Sequence, residues 1–106
     1  MAATFVSDVT AGIEIPEAGT LSKKVADDGV RLVVFAFDEG QELTEHRTAR
    51  AAIIQVTHGR LTVTVDGAEH DARPGCWLLM EPDAPHSLVA VEPSIVLLTL
   101  LPKPAA

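Results

Sequence analysis

From Val30 onward the chain reads as short apolar runs cut at regular intervals by turn residues. Val30 to Phe37 (VRLVVFAF) is rich in β-branched and aromatic residues and ends at Asp38-Glu39-Gly40. That composition suits a pleated, half-buried surface and predicts a strand. Ala51 to Thr57 is the next such run, closed by His58-Gly59. Arg60 to Val65 (RLTVTV) alternates polar and apolar side chains, which predicts a strand with one wet face and one buried face. Asp66-Gly67 follows, a pair that tolerates positive φ and so marks a hairpin. Further strands are predicted over Ala68 to Ala72, Trp77 to Glu81, His86 to Val91 and Ser94 to Leu100. Arg73-Pro74-Gly75 and Pro82-Asp83-Ala84-Pro85 break the pattern between them.

Turn signals recur about every 8–12 residues, the spacing of an all-β sandwich or barrel. Glycines, prolines and β-branched residues interrupt every window long enough for an amphipathic helix. The chain of 106 residues fits one domain, with a barrel core over about residues 20–101 and a loose tail over 102–106, where Pro102 and Pro104 cannot feed a ladder. Apolar residues make up 47% of the chain, which argues for a packed core over disorder.

The formal net charge of -7 changes the list of partners. An acidic surface repels phosphate backbones and anionic lipid, so nucleic acid and membrane are not expected as partners. Cys76 is the single cysteine, which rules out an internal disulfide and fits a reducing compartment. The start of the chain has no basic and apolar leader pattern, and the longest strongly apolar stretch, Ile95 to Leu101, is far too short to span a bilayer. The expectation is a cytoplasmic protein.

Two stretches resemble the paired motifs of the cupin family. In the first, Gly40 is followed after five residues by His46, and Gly59 closes the motif. In the second, Pro74-Gly75 and Pro82-Asp83-Ala84-Pro85-His86 are similar to the start and the end of the family pattern, with Asp66-Gly67 at the intermotif hairpin. The resemblance covers Val30 to Leu101 and implies an antiparallel jelly-roll β-barrel of the RmlC-like kind, of eight or so strands. It also implies a homodimer, with Val30 to Phe37 and the last strand as candidates for the shared face. The family's metal set is three histidines and one carboxylate. Here Thr48 stands at the second histidine and Ala52 at the glutamate, and Ala84 replaces a glycine. Only His46 and His86 remain as metal candidates, an incomplete set for a divalent ion such as Zn, Fe, Mn or Ni.

The remaining side chains sort by chemistry. His46 and His86 are expected to face the barrel interior as polar anchors. Gln55 interrupts the apolar run Ile53-Ile54-Gln55-Val56; it is a candidate to bind a ligand or a neighbouring backbone group, since a buried amide needs partners. Thr48 is a candidate hydrogen-bonding group or a turn cap. Trp77 and Met80 are candidates to line a cavity. His58 and His70 lie in or near turns and are expected in solvent. Cys76 has no basic neighbour and reads as structural. Two functions stay open: a module that binds a small organic ligand through His46, His86, Gln55 and Thr48, and a metal-dependent cupin enzyme of the dioxygenase or isomerase type that uses His46 and His86.

Overall fold

A computed structural model describes residues 2–104. Residues 105 and 106 of the expected tail lie outside the described residues, and residues 102–104 are exposed with no regular structure except half-buried surroundings at Leu101 before them. The described chain is all β. Its strands are β1 (Thr20–Asp28), β2 (Val30–Phe37), β3 (Glu42–His46), β4 (Ala52–Val65), β5 (Ala68–Ala72), β6 (Leu78–Met80) and β7 (His86–Leu100). Every ladder between them is antiparallel.

Two strands do the architectural work because they are long. β4 has 14 residues and β7 has 15, and they pair with each other along most of their length. Both bend near the middle, so each half belongs to a different sheet. The first half of β4 (Ala52 to Val56) and the second half of β7 (Ser94 to Leu100) carry β6 on one side and β2 and β1 on the other. The second half of β4 (Leu61 to Val65) and the first half of β7 carry β5 and β3. The two sheets face each other as a jelly-roll barrel.

The runs Ala51 to Thr57 and Arg60 to Val65 are therefore one strand, and His58-Gly59 is a bend inside it where the ladder register shifts. His86 to Val91 and Ser94 to Leu100 likewise join in β7. The run Trp77 to Glu81 shortens to β6, while β2 and β5 keep the predicted bounds. Neither β1 nor β3 is legible in the apolar pattern. β1 is exposed along most of its length and β3 (ELTEH) is mostly charged or polar, because each lies at a sheet margin and buries little.

The bend has a specific chemistry. Gly59 has φ of +87°, and a Cβ there would overlap the Pro93 carbonyl oxygen and the Ser94 side chain and backbone. Ser94 is fully buried. Its hydroxyl accepts the Arg60 N–H at 2.9 Å and donates to the Glu92 carbonyl at 2.7 Å. These bonds satisfy backbone groups that the irregular ladder leaves out.

Alternation then fixes the core. Ala52, Ile54 and Val56 in β4 face inward with Leu61 and Val63, the change from even to odd numbers being absorbed at the Gly59 bend. In β7, Leu88, Ala90 and Val96 face the same interior. Arg50 ties down the end of the barrel, donating from Nε to the Leu101 carbonyl at 2.6 Å and from a terminal nitrogen to the Gly29 carbonyl at 2.8 Å.

Gly59→Ala is expected to destabilise the fold by more than about 3 kcal/mol, since left-handed strain and a backbone overlap act together. Gly67→Ala, with φ of +82° and no atom within 4 Å of the new Cβ, is expected to cost only about 1 kcal/mol. Ser94→Ala is expected to cost about 1–3 kcal/mol by orphaning the Arg60 N–H. Urea denaturation of the three variants at pH 7.5 checks the order.

Candidate functional site

The site forms where β3 ends and β7 begins. His46 and His86 are directly opposite one another across the β3–β7 ladder, and His86 is also opposite Val65 at the end of β4. Cross-strand neighbours share a face, so both imidazoles point the same way. An ordinary three-residue step would put Leu43 and His46 on opposite faces. The β3 ladder is irregular between these two residues, and both reach the interior.

The rings meet edge to face, with centroids 4.2 Å apart and an interplanar angle of 64°. Their Nε2 atoms are 3.0 Å apart. Each Nδ1 bonds a backbone carbonyl two residues earlier in the chain, Thr44 for His46 and Ala84 for His86, both at 3.0 Å. A carbonyl oxygen only accepts, so each Nδ1 carries the hydrogen. The neutral form of each ring then presents its Nε2 lone pair, and the two lone pairs converge.

His86 is 7% exposed, whereas His46 lies at the open side. Burial lowers the His86 pKa below 6.5; the Ala84 carbonyl opposes that shift and proximity to His46 reinforces it. Burial thereby favours the neutral form of His86.

Behind the pair lies a small apolar cavity of about 50 Å³. Phe35, Leu43, Ile54, Met80, Leu88 and Leu98 supply most of its wall. These residues come from β2, β3, β4, β6 and β7, so no local stretch of sequence reveals the cavity. Their only common signal is the inward parity of their strands. Phe35 also stacks on Phe37 at a centroid distance of 5.6 Å, which braces that wall.

Of the sequence candidates, His46, His86 and Met80 come together at this cavity. Gln55, Thr48 and Trp77 do not. Gln55 is exposed because Ile54 and Val56 on either side of it point inward, and alternation sends the amide out. Thr48 sits in the β3–β4 connection, where its hydroxyl accepts the Arg50 N–H at 3.3 Å and its carbonyl accepts the Asp83 N–H at 2.7 Å. It acts as a turn group. Trp77 is 61% exposed and lines an outer groove with His70 and Cys76, since Leu78 and Met80 take the inward parity of that segment. His58 and His70 are exposed.

A resident divalent metal does not fit these donors. Among the described residues no group of three or more His, Cys, Asp or Glu side chains converges. Ala52, at the position of the family's carboxylate, points into the core at 1% exposure and supplies no ligand atom. Two imidazoles give about half of a first-row coordination shell.

The electrostatics predict a pH effect on stability. The folded-state pKa of His86 lies below 6.5, so just below pH 6.5 the unfolded chain binds more protons than the folded one. Stability is then expected to fall as pH drops through 6.5 and to level off below the folded pKa. Asp27, Asp38 and Asp71 are shifted below 3.8 and act only at lower pH. Urea midpoints at pH 7.5 and 5.5 should differ less for His86→Gln than for the wild type.

The family model described as "AraC-like ligand binding domain" matches residues 30–106. No curated protein matches the sequence. Among solved structures, a conserved protein of unknown function from Streptococcus pyogenes is similar at 29% identity and a TM-score of 0.84, covering 100% of this chain and 93% of that one. An RmlC-like cupin from Desulfovibrio desulfuricans superimposes at 24% identity and a TM-score of 0.83, covering 96% and 100% of the two chains. A cupin superfamily protein from Desulfitobacterium hafniense gives 22% and 0.81, with 86% and 84% covered. The last two establish the shared cupin fold. No helix of the described chain is long and apolar enough to cross a membrane.

Proposed function

The chain belongs to the family of AraC-like ligand binding domains, and on that premise we propose that it is a binding module for a small organic molecule. The ligand's polar head meets His46 and His86, and its apolar part enters the cavity behind them. One observation carries this reading: two convergent Nε2 atoms 3.0 Å apart are the polar groups at the mouth of an otherwise apolar cavity. Sites for small molecules commonly combine an apolar lining with a few placed polar groups. Met80 contributes a polarisable wall that adapts to shape.

The same pair supports at most a weak, rapidly exchanging divalent ion, because water would have to complete the shell. An enzyme of the metal-dependent kind needs donors beyond these two. Association into a homodimer is part of the proposal and rests on the resemblance to cupins.

Thermal shift against a small-molecule panel tests the binding reading. A true ligand at a hundredfold excess over its Kd is expected to add about 2.7 kcal/mol, a rise on the order of 10 °C for a domain of this size. The rise should vanish in His46→Ala, whose exposed side chain can be removed without disturbing the core. If no compound stabilises the wild type more than the variant, the reading fails. After loading with zinc or nickel and desalting, retained metal is expected to be well below one ion per chain.

A further inference from the structure

The free edge of β1 carries a charge pattern that is its own complement. β1 ends the sheet and pairs with β2 on one side. Among the described residues no backbone bond reaches its other side, so a row of N–H and C=O groups stands unpaired there. From Lys23 the strand reads Lys-Lys-Val-Ala-Asp-Asp: two cations, two apolar residues, two anions. The ladder with β2 skips Val25, where the register shifts between Lys24 and Ala26. One extra residue reverses the parity of the numbering across it. Leu21 and Lys23 therefore share a face with Ala26 and Asp28, all four being opposite even-numbered residues of β2. Lys24 and Asp27 share the other face, opposite Val33 and Arg31.

A second copy laid antiparallel along this edge, with a twofold axis at Ala26, meets like face with like face. Lys23 then stands opposite Asp28 of the second copy, Lys24 opposite its Asp27, and Leu21 beside its Val30. Each contact occurs twice. Without the bulge, the same charge pairing would put the partners on opposite faces. Lysines on an edge strand commonly prevent such addition, but here each one meets an aspartate. Lys23 and Asp28 have no ion-pair partner among the described residues. Lys24 and Asp27 meet within the chain at 3.3 Å, an exposed pair that exchanges partners at little cost. Whole chains of net charge -7 repel one another, whereas β1 is locally neutral. Leu21 and Val30 are each 40% exposed, and the pairing covers both. Val30 and Ala26 also line a groove of about 420 Å³ with Phe5, Val9 and Leu32, which the axis brings against the second copy. The face of β2 away from the histidine cavity offers less, since Val34 and Ala36 there are already fully buried within the chain.

We propose that two copies of the chain join edge to edge through β1, as an antiparallel ladder about a twofold axis at Ala26. This assignment rests on the homodimer of the reading above and gives it a seam.

Sedimentation velocity on the full chain, over a dilution series at pH 7.5, tests it. The wild type is expected to sediment as a dimer. Lys23→Glu/Lys24→Glu and Asp27→Lys/Asp28→Lys each set like charges opposite one another at all four contacts. Each is expected to raise the dimer dissociation constant by about a hundredfold or more. Mixed in equal amounts, the two variants carry opposite charges at every contact and should form a heterodimer with near wild-type affinity. The four replaced side chains are exposed, and far-ultraviolet circular dichroism checks that the strands are kept. A wild type that is monomeric throughout overturns the homodimer and the seam together. Variants that stay dimeric overturn the seam and leave the homodimer to another surface. Monomeric variants whose mixture stays monomeric also overturn the seam, because charge complementarity then does not hold the copies together.

Discussion

The pairing of β4 with β7 is the interaction on which the rest of the molecule depends. These two strands run through both sheets, and every other strand except β1 pairs with one of them. Their common bend turns one ladder into two facing layers. Gly59 makes the bend sterically open, and Ser94 satisfies the backbone groups that the bend strands. The choice of residues is tightly constrained there: a side chain at Gly59 strikes backbone and a buried hydroxyl, and removing that hydroxyl leaves an N–H without a partner. The first penalty is steric and conformational, and the second falls on a polar group that solvent cannot reach. The position of the histidines follows from the same bend. His86 opens β7, and β7 reaches the β3 edge only because its second half is committed to the other sheet.

Much of this was legible in the sequence, for reasons that can be named residue by residue. The run Val30 to Phe37 showed its strand because it is rich in β-branched and aromatic residues, with Val34, Ala36 and Phe37 buried, and Asp66-Gly67 showed its hairpin because that turn needs positive φ at both positions. His46 and His86 could be paired only through a resemblance, since they lie 40 residues apart. The misreadings have physical causes too. His58-Gly59 looks like a turn because the same glycine conformation serves a turn and a bulge. β3 hid because a marginal strand with three charged or polar residues outward has no apolar period. Gln55 and Trp77 were judged on chemical type, while parity decided where they point: a strand reverses its face at each step, and one residue of register moves an amide from cavity to solvent.

The departures from the cupin metal pattern form a consistent set when they are placed in the barrel. A carboxylate at position 52 would stand in the core, with Met80 as its ladder neighbour. An ionised group there costs several kcal/mol unless a metal or a cation meets it. Alanine removes that demand. At position 48 the chain uses threonine to tie the β3–β4 connection to the Asp83 backbone and Arg50, a role that needs no inward side chain. With both ligands gone, the interior wall is hydrocarbon from β2 round to β7, and the charged form of His86 has lost the surroundings that would stabilise it.

What is left is a site defined by two imidazoles and an apolar wall. A metal centre selects by charge and coordination number; this site has two imidazole Nε2 atoms 3.0 Å apart and a small apolar cavity. Desolvation strengthens each hydrogen bond made there and penalises each acceptor left bare. Selectivity then comes from the guest's polar head and from its length. A molecule with a long tail cannot enter a cavity of about 50 Å³. The carbonyls of Thr44 and Ala84 matter as much as the rings, because they fix the neutral tautomer of each. Had either Nδ1 faced solvent, that ring could turn its N–H toward the cavity, and the site would accept and donate with equal ease.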